Sequence, residues 1–358
     1  MSTYVKGYGG QNARLAIISD CPRNADLSAE HPFAGTAGRL LDHALKTGGF
    51  TRANVYLTYI CKYKVPQNDF SRLAEAGTSL AKCKAEIYEE LKSIKPNCIL
   101  AVGEKACEIL TGNKKVTLYR GSILRDVTGE YKVIPTLHPT NFVRESDGEK
   151  NVLKYQWRYI FEADVRRAIE ECKSSELNLP QRNLEICRSS VQLYRFIERN
   201  IDRGFPSVYI EASGCVPTCC ALSFHESEAI SIPLWNRVGG PGGFEFSQIG
   251  DSELAYIWKD LNDVLREKRV IGQNFKFDQD KMYRLGFRFK GLATDTMLLG
   301  HTINPEYPNL KLEFFTSIYT REPYYKDEGK EYNPKKDNVD RLYLYNAKDA
   351  AVTQEIAK

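Results

Sequence analysis

No run of 18 or more apolar residues occurs in this 358-residue chain, which excludes a conventional transmembrane helix. The opening, MSTYVKGYGGQNARLAII, has no basic flank, apolar core and small-residue cleavage site, so no secretory leader is expected. Internal repeats and low-complexity tracts are missing too, which sets solenoids and disordered tails aside. With no targeting segment, the ten cysteines are expected to be reduced thiols in a cytoplasm, not a disulfide framework. The chain has core material enough, being 42% hydrophobic and 27% charged. Its length suggests two domains.

The net charge is only +4, and it is uneven. Residues 1–175 carry 26 Lys and Arg against 20 Asp and Glu, while residues 176–358 carry 24 against 26. A mildly basic half beside an acid-balanced half suits a polyanion-binding module joined to a carboxylate-built site. In the first half, short apolar runs at 16–18, 55–57, 98–102 and 132–134 alternate with helical patterns at 36–47, 77–94 and 104–112. Strand–helix alternation implies a parallel sheet covered by helices on both faces. Residues 151–173 read as a closing helix, and the polar, proline-bearing stretch 176–183 as a linker. The expected domains are therefore 1–175 and 184–358. In the second, strands are expected at 207–212, 219–224, 230–235 and 269–271, and helices at 251–267 and 278–285. Residues 326–340 are charged enough to suggest a mobile loop.

Polar residues gather at the ends of three expected strands of the first half, where open α/β sheets place their ligand sites. They are Ser19-Asp20-Cys21-Pro22-Arg23, with Phe33-Ala34-Gly35-Thr36-Ala37-Gly38 eleven residues past Pro22, and Pro135-Thr136-Leu137-His138-Pro139-Thr140 with Arg144 behind it. Over residues 13–173 this resembles the family 4 uracil-DNA glycosylases, whose pattern runs Gly-Glu-x-Pro-Gly, Pro-Phe-x-Gly-x-x-Gly, a strand ending in Asn, and His-Pro-Ser. The resemblance implies a three-layer α/β/α fold and a flipped-out base clamped in a pocket. It makes Phe33 the stacking ring and His138 the donor to the base as charge develops. Asp20 would stand near the attacking water, and Lys62 and Arg144 would contact phosphates. Several positions depart from the pattern. The edge-reading Asn is Tyr59, which lacks the paired donor and acceptor of an amide. Arg23 and Ser19 replace glycines. The family's four-cysteine iron–sulfur cluster has lost its amino-terminal pair, Tyr63 stands third, and only Cys83 remains, so no iron–sulfur cluster is expected. Uracil excision is expected to be weak or absent.

The second half carries Val208-Tyr209-Ile210-Glu211 on a strand, Gln273-Asn274-Phe275-Lys276-Phe277-Asp278, and Tyr345-Asn346-Ala347-Lys348-Asp349, whose i, i+4 spacing puts Tyr345 and Asp349 on one helical face. Together with Asp295-Thr296 and the segment Tyr319 to Lys326, these resemble the DEDDy-type proofreading 3′–5′ exonuclease domain of family A DNA polymerases, an RNase H-like α/β fold. The resemblance implies Mg²⁺ or Mn²⁺ held by Glu211, Asp278 and Asp349, Tyr345 positioning the attacking water, and Asn274 beside the terminal nucleotide. The first acid of the family's Asp-x-Glu pair is Tyr209, so a weakened or silent site is expected, one that an acid at 209 should restore. Two other patterns carry less: Cys219 and Cys220 are successive on a strand and face opposite sides, and Gly239-Gly240-Pro241-Gly242-Gly243 is a turn cluster without the Lys-Ser/Thr of a phosphate loop.

A glycosylase-like domain followed by a proofreading domain resembles the amino-terminal part of certain bacteriophage DNA polymerases, and the sequence stops just after the third exonuclease motif. The expectation is a fragment or half of a split replicase. It would bind single-stranded DNA and 3′ ends in a host cytoplasm, away from membranes, beside a polymerase domain or subunit. A non-catalytic subunit that clamps DNA is the alternative, and an active uracil-DNA glycosylase a further one.

Overall fold

The computed structural model describes residues 4–142, 152–213, 216–235, 237–240, 243–246, 249–330 and 338–358. The chain divides into two compact units, Met1–Leu179 and Pro180–Lys358.

In the first unit, strands β1 (Tyr8–Gly9), β2 (Leu15–Ser19), β3 (Val55–Tyr59), β4 (Cys98–Val102), β5 (Leu124–Arg125) and β6 (Lys132–Thr136) form one sheet in the order β1-β3-β2-β4-β6-β5. The four central strands are parallel. All five residues of each are buried, as expected of strands covered on both faces. The pleat sorts their side chains. Leu15, Ile17, Leu57, Leu100 and Ile134 enter one core, while Ala16, Ile18, Ile99, Ala101 and Val133 enter the other. Helices α1 (Asn24–Ala29), α2 (Thr36–Thr47), α3 (Leu80–Ile94), α4 (Glu104–Thr111), α5 (Val116–Tyr119) and α6 (Val152–Glu171) complete the unit. Leu41, Ala44 and Leu45 of α2 and Phe161 and Val165 of α6 close the first core, and Ile87 and Leu91 of α3 with Ala106 and Leu110 of α4 close the second. The result is three layers, α/β/α.

The second unit holds a mixed sheet in the order β14-β13-β8-β9-β10-β7. Its elements along the chain are β7 (Asn183–Ile186), α7 (Ser190–Asn200), β8 (Ser207–Ser213), β9 (Val216–His225), β10 (Glu228–Pro233), the hairpin β11 (Arg237–Gly240) and β12 (Gly243–Phe246), α8 (Asp251–Glu267), β13 (Val270–Gly272), α9 (Phe275–Arg284), β14 (Leu292–Asp295), α10 (Thr296–Ile303), α11 (Leu312–Tyr319), α12 (Asp327–Lys330) and α13 (Val339–Ile356). Strands β8, β9 and β10 form an antiparallel meander, which β13 and β14 extend in parallel beside β8. Leu193 and Phe196 of α7 and Ile257 and Leu261 of α8 cover one face. Helix α13 covers the other, through Val339, Tyr343, Ala347 and Ala351.

Cys220 packs in the α7/α8 core and Cys219 beneath α13, the opposite facing that the pleat requires. The nine described cysteines are all free and buried. No described helix is long and apolar enough to cross a membrane. Of the loop expected over 326–340, residues 331–337 lie outside the described residues and Val339 and Asp340 begin α13, and the expectation fails at 326–330. Lys326 is buried and residues 327–330 form α12, because the lysine finds acidic and aromatic partners that composition alone does not show.

Candidate functional site

The carboxyl ends of the parallel strands β2, β3 and β6 deliver Asp20, Tyr59 and His138 to one edge of the first sheet. Asp20 Oδ1 accepts the Ala106 N–H at 2.7 Å from the first turn of α4. Gly103 sets that turn at φ 107°, and a Cβ there would lie 2.7 Å from the Asp20 carboxylate, so only glycine serves both demands. Burial pushes the Asp20 carboxyl up to about 6, against the pull of the Ala106 N–H and Arg23.

His138 is held by Thr140, whose N–H donates to Nδ1 at 3.2 Å and whose hydroxyl lies 2.7 Å away. A backbone N–H can only donate, so Nδ1 is the acceptor and the proton sits on Nε2. Burial, then the Arg23 charge, lowers the imidazole to about 3, so it stays neutral. The strand that presents it is tied down by Asp164 of α6, which accepts from Thr136 Oγ1 at 2.8 Å and from Arg120 Nε at 2.9 Å.

Phe33 lies in the left-handed region at φ 54°, a costly conformation for a bulky side chain. Arg52 Nη2 donates to its carbonyl at 2.6 Å, and its N–H donates to the Tyr59 hydroxyl at 3.1 Å. Asp26 secures the loop, accepting from Arg23 N at 2.7 Å and Ala34 N at 2.8 Å. These constraints lay the Phe33 ring on the Tyr59 ring, with centroids 5.8 Å apart and planes 19° from parallel. Each is almost wholly buried, at 3% and 2% exposure. One face of the Phe33 ring is therefore covered by a side chain of the protein.

Of the two positions expected to contact phosphate, Lys62 does not come to this edge. Lys62 is buried and pairs with Glu90 Oε2 at 2.9 Å. That glutamate also accepts from Tyr56 OH at 2.6 Å and Thr58 Oγ1 at 2.9 Å, so the lysine closes an internal network. Arg144 lies outside the described residues. Arg23, where the pattern has glycine, contributes charge to both Asp20 and His138, and its Nε is buried without a hydrogen-bond partner among the described residues.

At the cluster positions, the Tyr63 ring packs edge-on against Tyr4 at 5.0 Å, with the Lys82 ammonium 5.5 Å from its centroid. Cys83 shares a small apolar group with Cys61 and Cys21. A thiol hydrogen bond from Cys61 lowers the Cys83 thiol. Of the family's four thiolate positions, Tyr63 stands at one and Cys83 at another, and the thiols gathered beside Cys83 are Cys61 and Cys21.

In the second unit the pleat turns Val208 and Ile210 into the α7/α8 core and Tyr209 and Glu211 toward the α13 side. Asn346 fixes that helix, donating to the Tyr209 carbonyl at 3.0 Å and accepting from Ser231 Oγ at 2.8 Å. Asp349 thereby approaches Glu211, and Asp278 of α9 approaches Glu211 from its other neighbour. Burial and then Asp349 push Glu211 up to about 7, while burial and then Glu211 raise Asp278. Tyr345 lies one turn before Asp349. Asn274 is exposed, at φ 54° at the start of α9.

The sequence patterns overlooked the cations. Lys326 Nζ lies 2.5 Å from Asp349 Oδ2 and 3.0 Å from the Tyr345 hydroxyl. Tyr325 OH donates to Asp349 Oδ1 at 2.5 Å, so both oxygens of that acid are engaged. Lys281 is buried too and pulls against the rise of Glu211 and Asp278. Among the described residues no group of three or more His, Cys, Asp or Glu is arranged to hold a metal ion. As arranged, with Asp349 engaged by Lys326 and Tyr325, the acids do not fit a pair of divalent ions. The sequence signal for Lys326 was its place in Tyr324-Tyr325-Lys326, directly after one of the aromatic rings of the site.

The strand-end site and its α/β/α frame define the class: the chain belongs to the uracil DNA glycosylase superfamily, whose profile matches residues 6–160. It is 31% identical over 147 residues to the type-4 uracil-DNA glycosylase of Thermotoga maritima, covering 40% of this chain and 74% of that one. The type-4 enzyme of Saccharolobus solfataricus is 30% identical over 187 residues, covering 49% and 79%. A DNA polymerase of Bacillus phage SP01 is 28% identical over 171 residues, 48% of this chain but only 17% of the polymerase.

Asp20 sets an expected pH dependence. Its carboxyl is raised in the folded state, so its stabilising contribution is present below about pH 4 and is lost as pH rises through about 6. Asn at this position can still accept from Ala106 and carries no charge to bury. Asp20→Asn should therefore raise stability at pH 8 by about 1–3 kcal/mol. The gain should shrink toward pH 4. His138 runs the other way, since an imidazole buried neutral loses stability as pH falls below about 6.5. Thermal melts of both proteins at pH 8 and pH 5 check this; an equal gain at both would contradict it.

Proposed function

We propose that this chain is a replication-associated DNA-binding protein that holds DNA through a glycosylase-derived unit without excising uracil. The observation that carries the reading is the Tyr59 ring stacked on Phe33 with centroids 5.8 Å apart, and the proposal is that the face it covers is the one a flipped base would use. Excision needs a base seated in the pocket, its edge read by paired polar groups and its departing charge met by a donor. The His138 donor and the Asp20 carboxylate persist, but the amide reader is a phenol whose ring covers Phe33. Binding does not need the seat. Phosphate contacts supply most sequence-independent affinity, and the first half of the chain is the more basic one.

The second unit is proposed to derive from a 3′–5′ exonuclease and to be silent as it stands. Its support is the ordered motifs around Glu211, Asp278, Tyr345 and Asp349 and the meeting of those acids at one site. Similarity to a phage DNA polymerase supports a polymerase domain or subunit as the partner. Tyr63 and the missing thiols support a unit without an iron–sulfur cluster. The purified protein should accordingly be colourless and iron-free, and a visible absorption band with stoichiometric iron would contradict that.

Equilibrium binding tests the reading. Single-stranded oligonucleotides with and without one uracil should bind alike, with affinity falling steeply as salt rises. A clear preference for the uracil strand, retained at high salt, would favour an open pocket and an active glycosylase instead.

A further inference from the structure

The acids of the second unit already have a cation. Lys326 is only 5% exposed, and an ammonium so buried must be compensated. Its Nζ pairs with Asp349 Oδ2 at 2.5 Å and meets the Tyr345 hydroxyl at 3.0 Å. Around it stand the rings of Tyr345, Tyr209 and Tyr325, with centroids 4.9, 5.2 and 5.4 Å away. Aromatic faces at such distances attract a desolvated cation. The Tyr325 hydroxyl holds the other oxygen of Asp349 at 2.5 Å, fixing the carboxylate toward the lysine.

We propose that Lys326 is the resident cation of this site, its ammonium standing where an exonuclease would hold a divalent ion, with Tyr209 forming one wall of its cage. The inference rests on the reading of the second unit as exonuclease-derived. It gives Tyr209 a positive role. An aspartate there would offer a dication a ligand, whereas the phenol ring offers a monocation a π-face. The two changes fit each other: a weaker acid cluster and a built-in charge that needs no solution ion. Glu211, Asp278 and Asp349 bring three carboxyl groups, the first two raised by burial and so only partly charged, against the ammonium groups of Lys326 and Lys281. A dication entering would meet both ammonium groups at close range and would have to take Asp349 from Lys326. The site is thus closed to metal by a side chain of its own.

Mn²⁺ titration of the full chain, read by water-proton relaxation, tests this. Wild-type protein should show no Mn²⁺ site that depends on Asp349. Lys326→Met, which keeps a flexible stem among the rings, should gain one site at least about tenfold tighter than any in wild type. Adding Asp349→Asn should abolish the gain, and Lys326→Arg, which keeps the charge, should not produce it. Should Lys326→Met fail to fold, wild type and Asp349→Asn alone decide the matter. Terbium luminescence sensitised by the tyrosines should be the same in both, and a wild-type signal lost in Asp349→Asn would overturn the proposal. So would a folded Lys326→Met protein that gains no ion. A gained ion without nuclease activity, even with an acid at 209, would leave Lys326 as the resident cation and remove the exonuclease ancestry.

Discussion

Tyr59→Asn should switch on uracil excision in a protein proposed to have almost none. The substitution acts twice. It removes the ring that covers Phe33, opening the slot for a flipped base. It also supplies an amide, whose paired donor and acceptor can read a pyrimidine edge. A bidentate edge contact is worth about 1–3 kcal/mol, so the rate should rise by roughly 5- to 150-fold from recognition alone, with slot opening in addition. Two controls separate these effects. Tyr59→Phe keeps the ring and loses only the hydroxyl that accepts from the Phe33 N–H, so it should stay inactive. His138→Ala added to Tyr59→Asn should abolish the gain, because the neutral imidazole then no longer meets the departing base. If Tyr59→Asn stays inactive while folded, Arg23 and Ser19 close the pocket by themselves.

In the second unit, restoring the acid should require two changes. Tyr209→Asp alone places a new carboxylate beside the Lys326 ammonium, which would pair with it, so hydrolysis of a 3′ end should rise little. Tyr209→Asp combined with Lys326→Met removes the internal cation and returns a fourth acid to the site. In Mn²⁺ that double variant should hydrolyse single-stranded 3′ ends at least about a hundredfold faster than wild type, since two-metal catalysis supplies several kcal/mol. Asp278→Ala added to it should remove the gain. Nucleotide release from labelled oligonucleotides is the readout. Full activity from Tyr209→Asp alone would show that Lys326 yields easily to metal, contrary to the caged geometry.

Much of the frame was legible because its signals are local. The buried runs at 16–18, 55–57, 98–102 and 132–134 became the central strands, and the helical pattern at 251–267 became α8, Asp251–Glu267, to the residue. Tyr345 and Asp349 share a helical face because an i, i+4 spacing admits nothing else. The side-chain pairings were not legible, since they depend on partners far along the chain. The stacking of Tyr59 on Phe33 needs the left-handed φ of Phe33 and a carbonyl contact from Arg52, neither of which a motif displays. Lys62 looked like a phosphate contact because lysines near such sites often are, yet Glu90 on α3 captures it. Lys326 sat in a charged stretch that composition reads as solvated. Only the fold brings Asp349 and three phenol rings around it.

The central claim is that the pocket of a glycosylase is filled from within, so that DNA is held and its bases are left in place. Single-turnover assay of the wild-type chain, in molar excess over a uracil-containing single strand, tests it most directly, because binding and release then cannot limit the outcome. Abasic sites, revealed by alkaline cleavage, should stay at the level of a no-protein control while the strand remains bound. Conversion of the bound strand to abasic product in one turnover would show that Tyr59 moves aside and that the chain is a working uracil-DNA glycosylase.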